Sequence, residues 1–192
     1  MSELPPYAAW RHLSSREGFE IAFFRRESDG YCAIGQANAV EDGRAWALNY
    51  RIIFDETWAV RTARVTSISA GDDSVLEVAT DGRGEWLVDR AHAPQLDGCL
   101  DVDLEASVFT NALPVHRLRL GVGEVAEAPA AYVRAPTLRV ERLEQTYARL
   151  SDCAAGTHRY AYSAPAFDFS AELSYDAYGL LLKYPGIGIR YA

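Results

Sequence analysis

The chain has 192 residues, with 49% apolar and 24% charged side chains and a formal net charge of -8. That is ordinary globular usage in a chain long enough for one domain with a sizeable core, and it excludes disordered and fibrous classes. Lys183 is the only lysine and the arginines are dispersed, so the clustered cations of a nucleic-acid groove are missing and no nucleic-acid partner is expected.

The opening, MSELPPYAAWRHL, lacks the basic n-region, apolar h-region and cleavage signal of an export sequence, and no apolar run approaches the ~20 residues that cross a bilayer. A cytoplasmic protein that is not integral to a membrane is the expectation. Cys32, Cys99 and Cys153 are odd in number and far apart, so buried, reduced thiols are expected rather than a disulfide framework. In ALNYRIIFD, Leu48, Tyr50, Ile52 and Phe54 fall on one face, with Asn49 and Arg51 on the other, the period of a half-buried strand. EWLVD, TLRVERL, RYAYS and GIGIRYA read as shorter strands, and FDFSAELSYD alternates through Phe167, Phe169, Ala171, Leu173 and Tyr175. VEDGRA, SAGDDS, ATDGRGE and SAPAF separate them as turns by their Gly, Asp and Pro content.

Strands at this spacing describe a mainly β fold, an antiparallel meander without βαβ units. Eleven Tyr, seven Phe and four Trp agree with it, because aromatics suit pleated surfaces. Two short helices are predicted. ERLEQTYARL carries Leu143, Tyr147 and Leu150 at helical spacing, and VFTNALPVHRL can start a helical turn at Thr110 or Asn111, limited by Pro114. YRIIFDETWAVRTARV and AELSYDAYGLLLKYP share an alternating strand, an aromatic–Asp pair (Phe54-Asp55, Tyr175-Asp176) and a second strand. A single domain over 1–192 is expected, with an internal β repeat of about 19–90 against 99–192 as an open alternative.

The densest polar stretch is GCLDVDLEASVFTNALPVHRL, residues 98–118. Asp101 and Asp103 form a D-x-D, a pattern that holds divalent cations in some transferases. The alternation with Leu100, Val102 and Leu104 gives instead a strand with one acidic face, its acids pairing across to Arg117 and Arg119 on a second strand. His116 titrates nearest neutrality, but no nucleophile elbow, zinc-ligand pair or phosphate loop accompanies it, and a peripheral place is expected. Thr110 and Asn111, followed by Leu113 and Pro114, read as backbone-binding residues of a crossover that joins two groups of strands. Trp58, Arg61, Trp86 and Tyr147 are either core aromatics and their neighbours or the wall of a pocket.

The ordered set DETWAVR (55–61), GEW (84–86), GCLDVDL (98–104), TNALPVHRL (110–118), LEQTY (143–147) and YDAYGLLLKYP (175–185) resembles the "putative glycolipid-binding" family of bacterial proteins over nearly the whole chain. The resemblance implies a large curved antiparallel sheet wrapped into a partial barrel, with few short helices, similar to bacterial lipoprotein and glycolipid carriers. It carries no catalytic residues across. The expected function is non-enzymatic binding of an amphipathic small molecule, glycolipid or fatty-acyl-like, in the concavity of the curled sheet. Trp58, Arg61, Trp86, Arg117 and Tyr147 are its candidate contacts; Asp101, Asp103, Thr110, Asn111 and His116 form a structural motif or polar site, and no metal or cofactor is assigned. The alternatives are a hydrolase or metal-assisted transferase acting on a sugar or acyl substrate through Asp101, Asp103 and His116, and a protein-interaction module.

Overall fold

A computed structural model describes residues 4–14, 16–71, 73–153 and 156–192; Met1–Glu3 of the opening stretch and Asp72 of the SAGDDS turn lie outside them. Strands account for 57% of the structure and helices for 9%. The first meander runs β1 Tyr7–His12, β2 Arg16–Glu27, β3 Gly30–Glu41, β4 Arg44–Asp55, β5 Val60–Ser69, β6 Asp73–Thr80, β7 Trp86–Val88 and β8 Ala91–His92. Then come β9 Asp101–Leu104, a 3-10 turn at Phe109–Asn111 and helix α1 Ala112–Leu118. The remainder is β10 Val125–Glu127, β11 Ala130–Val133, β12 Val140–Leu143, β13 Thr146–Leu150, β14 His158–Ala164, β15 Phe169–Tyr175, β16 Leu181–Tyr184 and β17 Gly188–Arg190.

Fourteen of these strands make one curled antiparallel sheet in the order β10-β13-β14-β15-β16-β17-β1-β2-β3-β4-β5-β6-β7-β8. The two meanders join where β17 pairs with β1, Arg11 opposite Ile189. The sheet does not close, so the mainly β, partial-barrel architecture implied by the resemblance is what the chain adopts. A second sheet of three strands, β12-β11-β9, has β9 parallel to β11.

Local chemistry explains the longest hairpin. Asp42 and Gly43 form the two-residue loop between β3 and β4, both at positive φ (51° and 73°), and Glu41 faces Arg44 across it. Such primed turns match the strand twist and favour Asp-Gly. Leu48, Tyr50, Ile52 and Phe54 are buried in β4 as the alternation required, while Arg51 is exposed. Opposite Tyr50 stands Gly35, where a Cβ would lie 2.2 Å from the ring; the tyrosine lies flat over the glycine and aims its hydroxyl inward.

The inner face of the sheet is covered by the chain's own residues 99–118. Phe109 packs on Phe24, Tyr50 and Phe54 of the first meander, at 5.1, 6.5 and 6.4 Å between ring centroids. Two residues on, Asn111 receives hydrogen bonds from Tyr147 and Tyr175 of the second. This segment is the crossover between the two groups of strands, and it packs against both.

Four expectations need correction. Residues 141–150 form no helix but parts of β12 and β13, because the buried positions Leu143, Gln145, Tyr147 and Arg149 follow a period of two. Arg117 and Arg119 lie on no strand: Arg117 is in α1, and Arg119 caps it with φ 50°. Pro114 does not stop that helix, since it sits in the first turn, where its missing N–H has no partner to lose. Phe167 belongs to a 3-10 turn, so the alternation of β15 begins at Phe169.

Candidate functional site

The crossover is held by a buried carboxylate. Glu20, on the inward series of β2 with Ala22 and Phe24, is fully buried. Its Oε1 accepts from Tyr50 Oη at 2.7 Å and Ser107 Oγ at 2.5 Å. Its Oε2 accepts from the Val108 and Phe109 amides at 2.5 and 3.4 Å. Burial pushes the carboxyl up to about 7, and the four donors oppose that rise.

Beside it, β9 is buried along its whole length. The acids expected to face arginines on a second strand therefore lie inside, because β9 is the parallel neighbour of β11 in a small sheet packed under the large one. Asp101 takes a bidentate pair from Arg117, Nε to Oδ1 at 3.1 Å and Nη2 to Oδ2 at 2.6 Å. Both carboxylate oxygens are thereby used. Asp103 Oδ1 accepts from Thr110 Oγ1 at 2.9 Å, and burial raises this carboxyl to about 7, the hydrogen bond working the other way. Asn111 Oδ1 accepts from Tyr147 Oη at 2.9 Å, and its carbonyl accepts from Tyr175 Oη at 3.3 Å. Thr110 and Asn111 thus bind the crossover to the sheet, Asn111 through tyrosine hydroxyls.

Two cavities flank this packing among the described residues. The first, about 280 Å³, opens over Asp103 and Asn111. Its walls are Tyr132, Tyr162, Phe169 and Tyr184, with Phe167 half-exposed beside them. The rings interlock: Tyr162 meets Tyr184 edge-on at 5.8 Å, and Tyr132 lies 5.5 Å from Phe167. Arg134 stands over both Tyr132 and Phe167, at 5.1 and 5.2 Å from their centroids. At the mouth two arginines meet two glutamates: Arg16 pairs with Glu41 at 3.2 Å and with Glu105 at 3.8 Å, and Arg134 with Glu105 at 4.0 Å.

The second cavity, about 810 Å³, lies past the other end of α1. Its floor is a stack of Trp58 on His116, centroids 3.5 Å apart and planes within 1°. His116 is not peripheral but buried, and burial depresses it to about 4. Two similar turns hold this stack. Asp55 Oδ1 accepts from the Thr57 and Ala59 amides, and Trp58 has φ 70°. Asp176 Oδ1 accepts from the Tyr178 and Leu180 amides, and Gly179 has φ 72°. A Cβ at Gly179 would lie 2.4 Å from His116 Nε2, so only glycine lets that turn close on the ring.

The candidate contacts are not brought together. Of Trp58, Arg61, Trp86, Arg117 and Tyr147, Trp58 alone lines either of these two cavities. Trp86 is fully buried and donates to the Cys99 carbonyl at 2.9 Å, and Tyr147 is core. Arg61 is held by Asp55 and the Asp81 carbonyl, and Arg117 by Asp101. Asp101, Asp103 and His116 do not converge either: Asp103 lines the smaller cavity, His116 the larger, and Asp101 neither. Among the described residues no three His, Cys, Asp or Glu side chains gather as a metal-holding group. Cys32 and Cys99 are buried free thiols, while Cys153 is exposed.

Sequence reasoning missed Glu20, Tyr132, Tyr162, Tyr184, Arg16 and Arg134. Glu20 did leave a signal, an acid in step with the apolar residues of its strand. The tyrosines come from three separate strands, and nothing local marks their meeting.

A family model described as "Putative glycolipid-binding" matches residues 7–190. A crystal structure of a DUF1089 family protein from Pseudomonas aeruginosa is 33% identical and superposes with a TM-score of 0.77, over 100% of this chain and 98% of that one. No curated protein matches the chain.

Proposed function

The chain belongs to the "Putative glycolipid-binding" family, and from that premise we propose that it binds a neutral, sugar-headed amphiphile in the smaller cavity, without catalysing a reaction. One observation carries the reading: the smaller cavity combines an aromatic wall, a buried polar base and a charge-balanced mouth. The C–H faces of a sugar ring pack on rings such as Tyr162 and Phe169, and its hydroxyls need both donors and acceptors. Asp103 supplies these at the base. Near neutrality Asp103, with a pKa of about 7, is partly protonated and so either donates or accepts. Two arginines matched by acids at the mouth favour a head group without net charge.

At about 280 Å³ the cavity lies just below the usual range of ligand pockets, ~300–1,000 Å³. It takes a head group and leaves the tail to run outward past Phe167 and Ile187.

Octyl β-glucoside, titrated below micelle formation and followed by calorimetry, tests the proposal. The wild type should bind it, and Phe167→Ala should weaken binding about tenfold through lost ring contact. Phe167 is 41% exposed, so its loss leaves the core intact. A wild type that gives no heat, or a Phe167→Ala that binds equally well, would overturn the reading.

A further inference from the structure

We infer that the larger cavity is a second binding site, one that takes an anionic head group, a carboxylate or phosphate, carried on an apolar body. The balance of polar groups around it differs from that of the smaller cavity. Arg26, Arg119 and Arg149 line it, and Glu56 is its only acid among the described residues. Glu56 is already engaged by Arg26 at 2.5 Å. Arg149, nearly buried, is fixed by Asp152 at 2.5 Å and by His158 Nδ1 at 2.8 Å, with Tyr160 5.2 Å beneath its guanidinium. Arg119 is different: it is exposed, and no ion pair to it is found among the described residues. The hydroxyl-bearing rings Tyr31, Tyr160 and Tyr178 add donors to the same wall.

A chain of net charge -8 therefore concentrates three cations around one concavity and, among the described residues, leaves one of them without an ion pair. Donors outnumber unspent acceptors there, and the ligand that corrects such a balance is rich in acceptors and negatively charged. The floor sets the other half of the ligand. Trp58 stacked on His116 offers a flat apolar surface, and burial keeps the imidazole uncharged down to about pH 4. Val115 and Leu120 continue it along α1. Charge at the mouth and an apolar floor within describe an anion with a hydrocarbon or ring-bearing body, not a free ion.

The site is separate from the one proposed above, since Arg119 and Trp58 do not line the smaller cavity, and the two readings fail independently. The test measures binding of dodecyl phosphate, dodecanoate, inorganic phosphate and neutral octyl β-glucoside to the full chain and to Arg119→Glu and Arg119→Gln. Dodecyl phosphate or dodecanoate should bind the wild type, the tighter of the two identifying the head group. Inorganic phosphate should bind at least tenfold more weakly than dodecyl phosphate. Arg119→Glu should weaken the anionic amphiphiles at least tenfold and Arg119→Gln several-fold, with octyl β-glucoside unaffected. Equal binding of inorganic and dodecyl phosphate would reduce the site to surface ion capture. Anionic amphiphiles that fail to bind, or that bind Arg119→Glu as well as wild type, would overturn the inference outright.

Discussion

Asp103 and Glu20 are carboxyls whose environments raise them to about 7, whereas His12 and His116 are imidazoles that burial lowers to about 4. The signs follow from linkage. A carboxyl raised on folding holds a proton that the unfolded chain releases, so its contribution to stability is present at low pH and is lost as pH rises through its unfolded value towards about 7. An imidazole lowered on folding does the reverse, and its contribution is lost as pH falls from 6.5 towards about 4. Between about pH 4.5 and 6.5 the two pairs oppose each other. Asp103→Asn keeps an oxygen for Thr110 and removes one titration. The stability of the variant relative to wild type should therefore increase with pH, by up to ~1.4 kcal/mol per unit across that window. Urea unfolding at both ends of the window measures it, and an equal difference at the two pH values would mean that Asp103 is ionised throughout.

At the scale of elements, the crossover is a strand, a 3-10 turn and a seven-residue helix that no propensity would keep folded alone. Side chains of the sheet hold it. Asn111 is one anchor, and Asn111→Ala removes the acceptor of the buried Tyr147 hydroxyl, at a cost of ~1–3 kcal/mol. The thermal midpoint should fall by several degrees, with octyl β-glucoside binding retained below it. A variant that melts like wild type but no longer binds would make Asn111 a ligand contact instead of an anchor. β4 was legible because its inward residues Leu48, Tyr50, Ile52 and Phe54 are all apolar. β13 was not, because Arg149 on its inward series and the buried Gln145 just before it are polar and hide the period of two, while Leu143, Tyr147 and Leu150 fall by coincidence at helical spacing. The D-x-D of β9 misled in the same way. Its acids alternate with apolar residues as on a surface strand, but a buried parallel partner and Arg117 bring them inside.

For the whole molecule, the crossover packs against the inner side of the sheet and is flanked by two unlike spaces. One is small, aromatic and balanced in charge; the other is larger and rich in cations. Motif spacing showed neither, because both arise from residues on strands far apart in sequence that the curl of the sheet brings together. The central claim is that the smaller space is a binding site, and amide chemical-shift mapping on isotope-labelled protein titrated with octyl β-glucoside tests it most directly. The account predicts saturable shifts confined to residues around that cavity, notably Ser107, Ala164, Phe167 and Gly186, with the amides around Trp58 and Arg119 still. Shifts that gather on the outer face of the sheet, or none at saturating ligand, would contradict it.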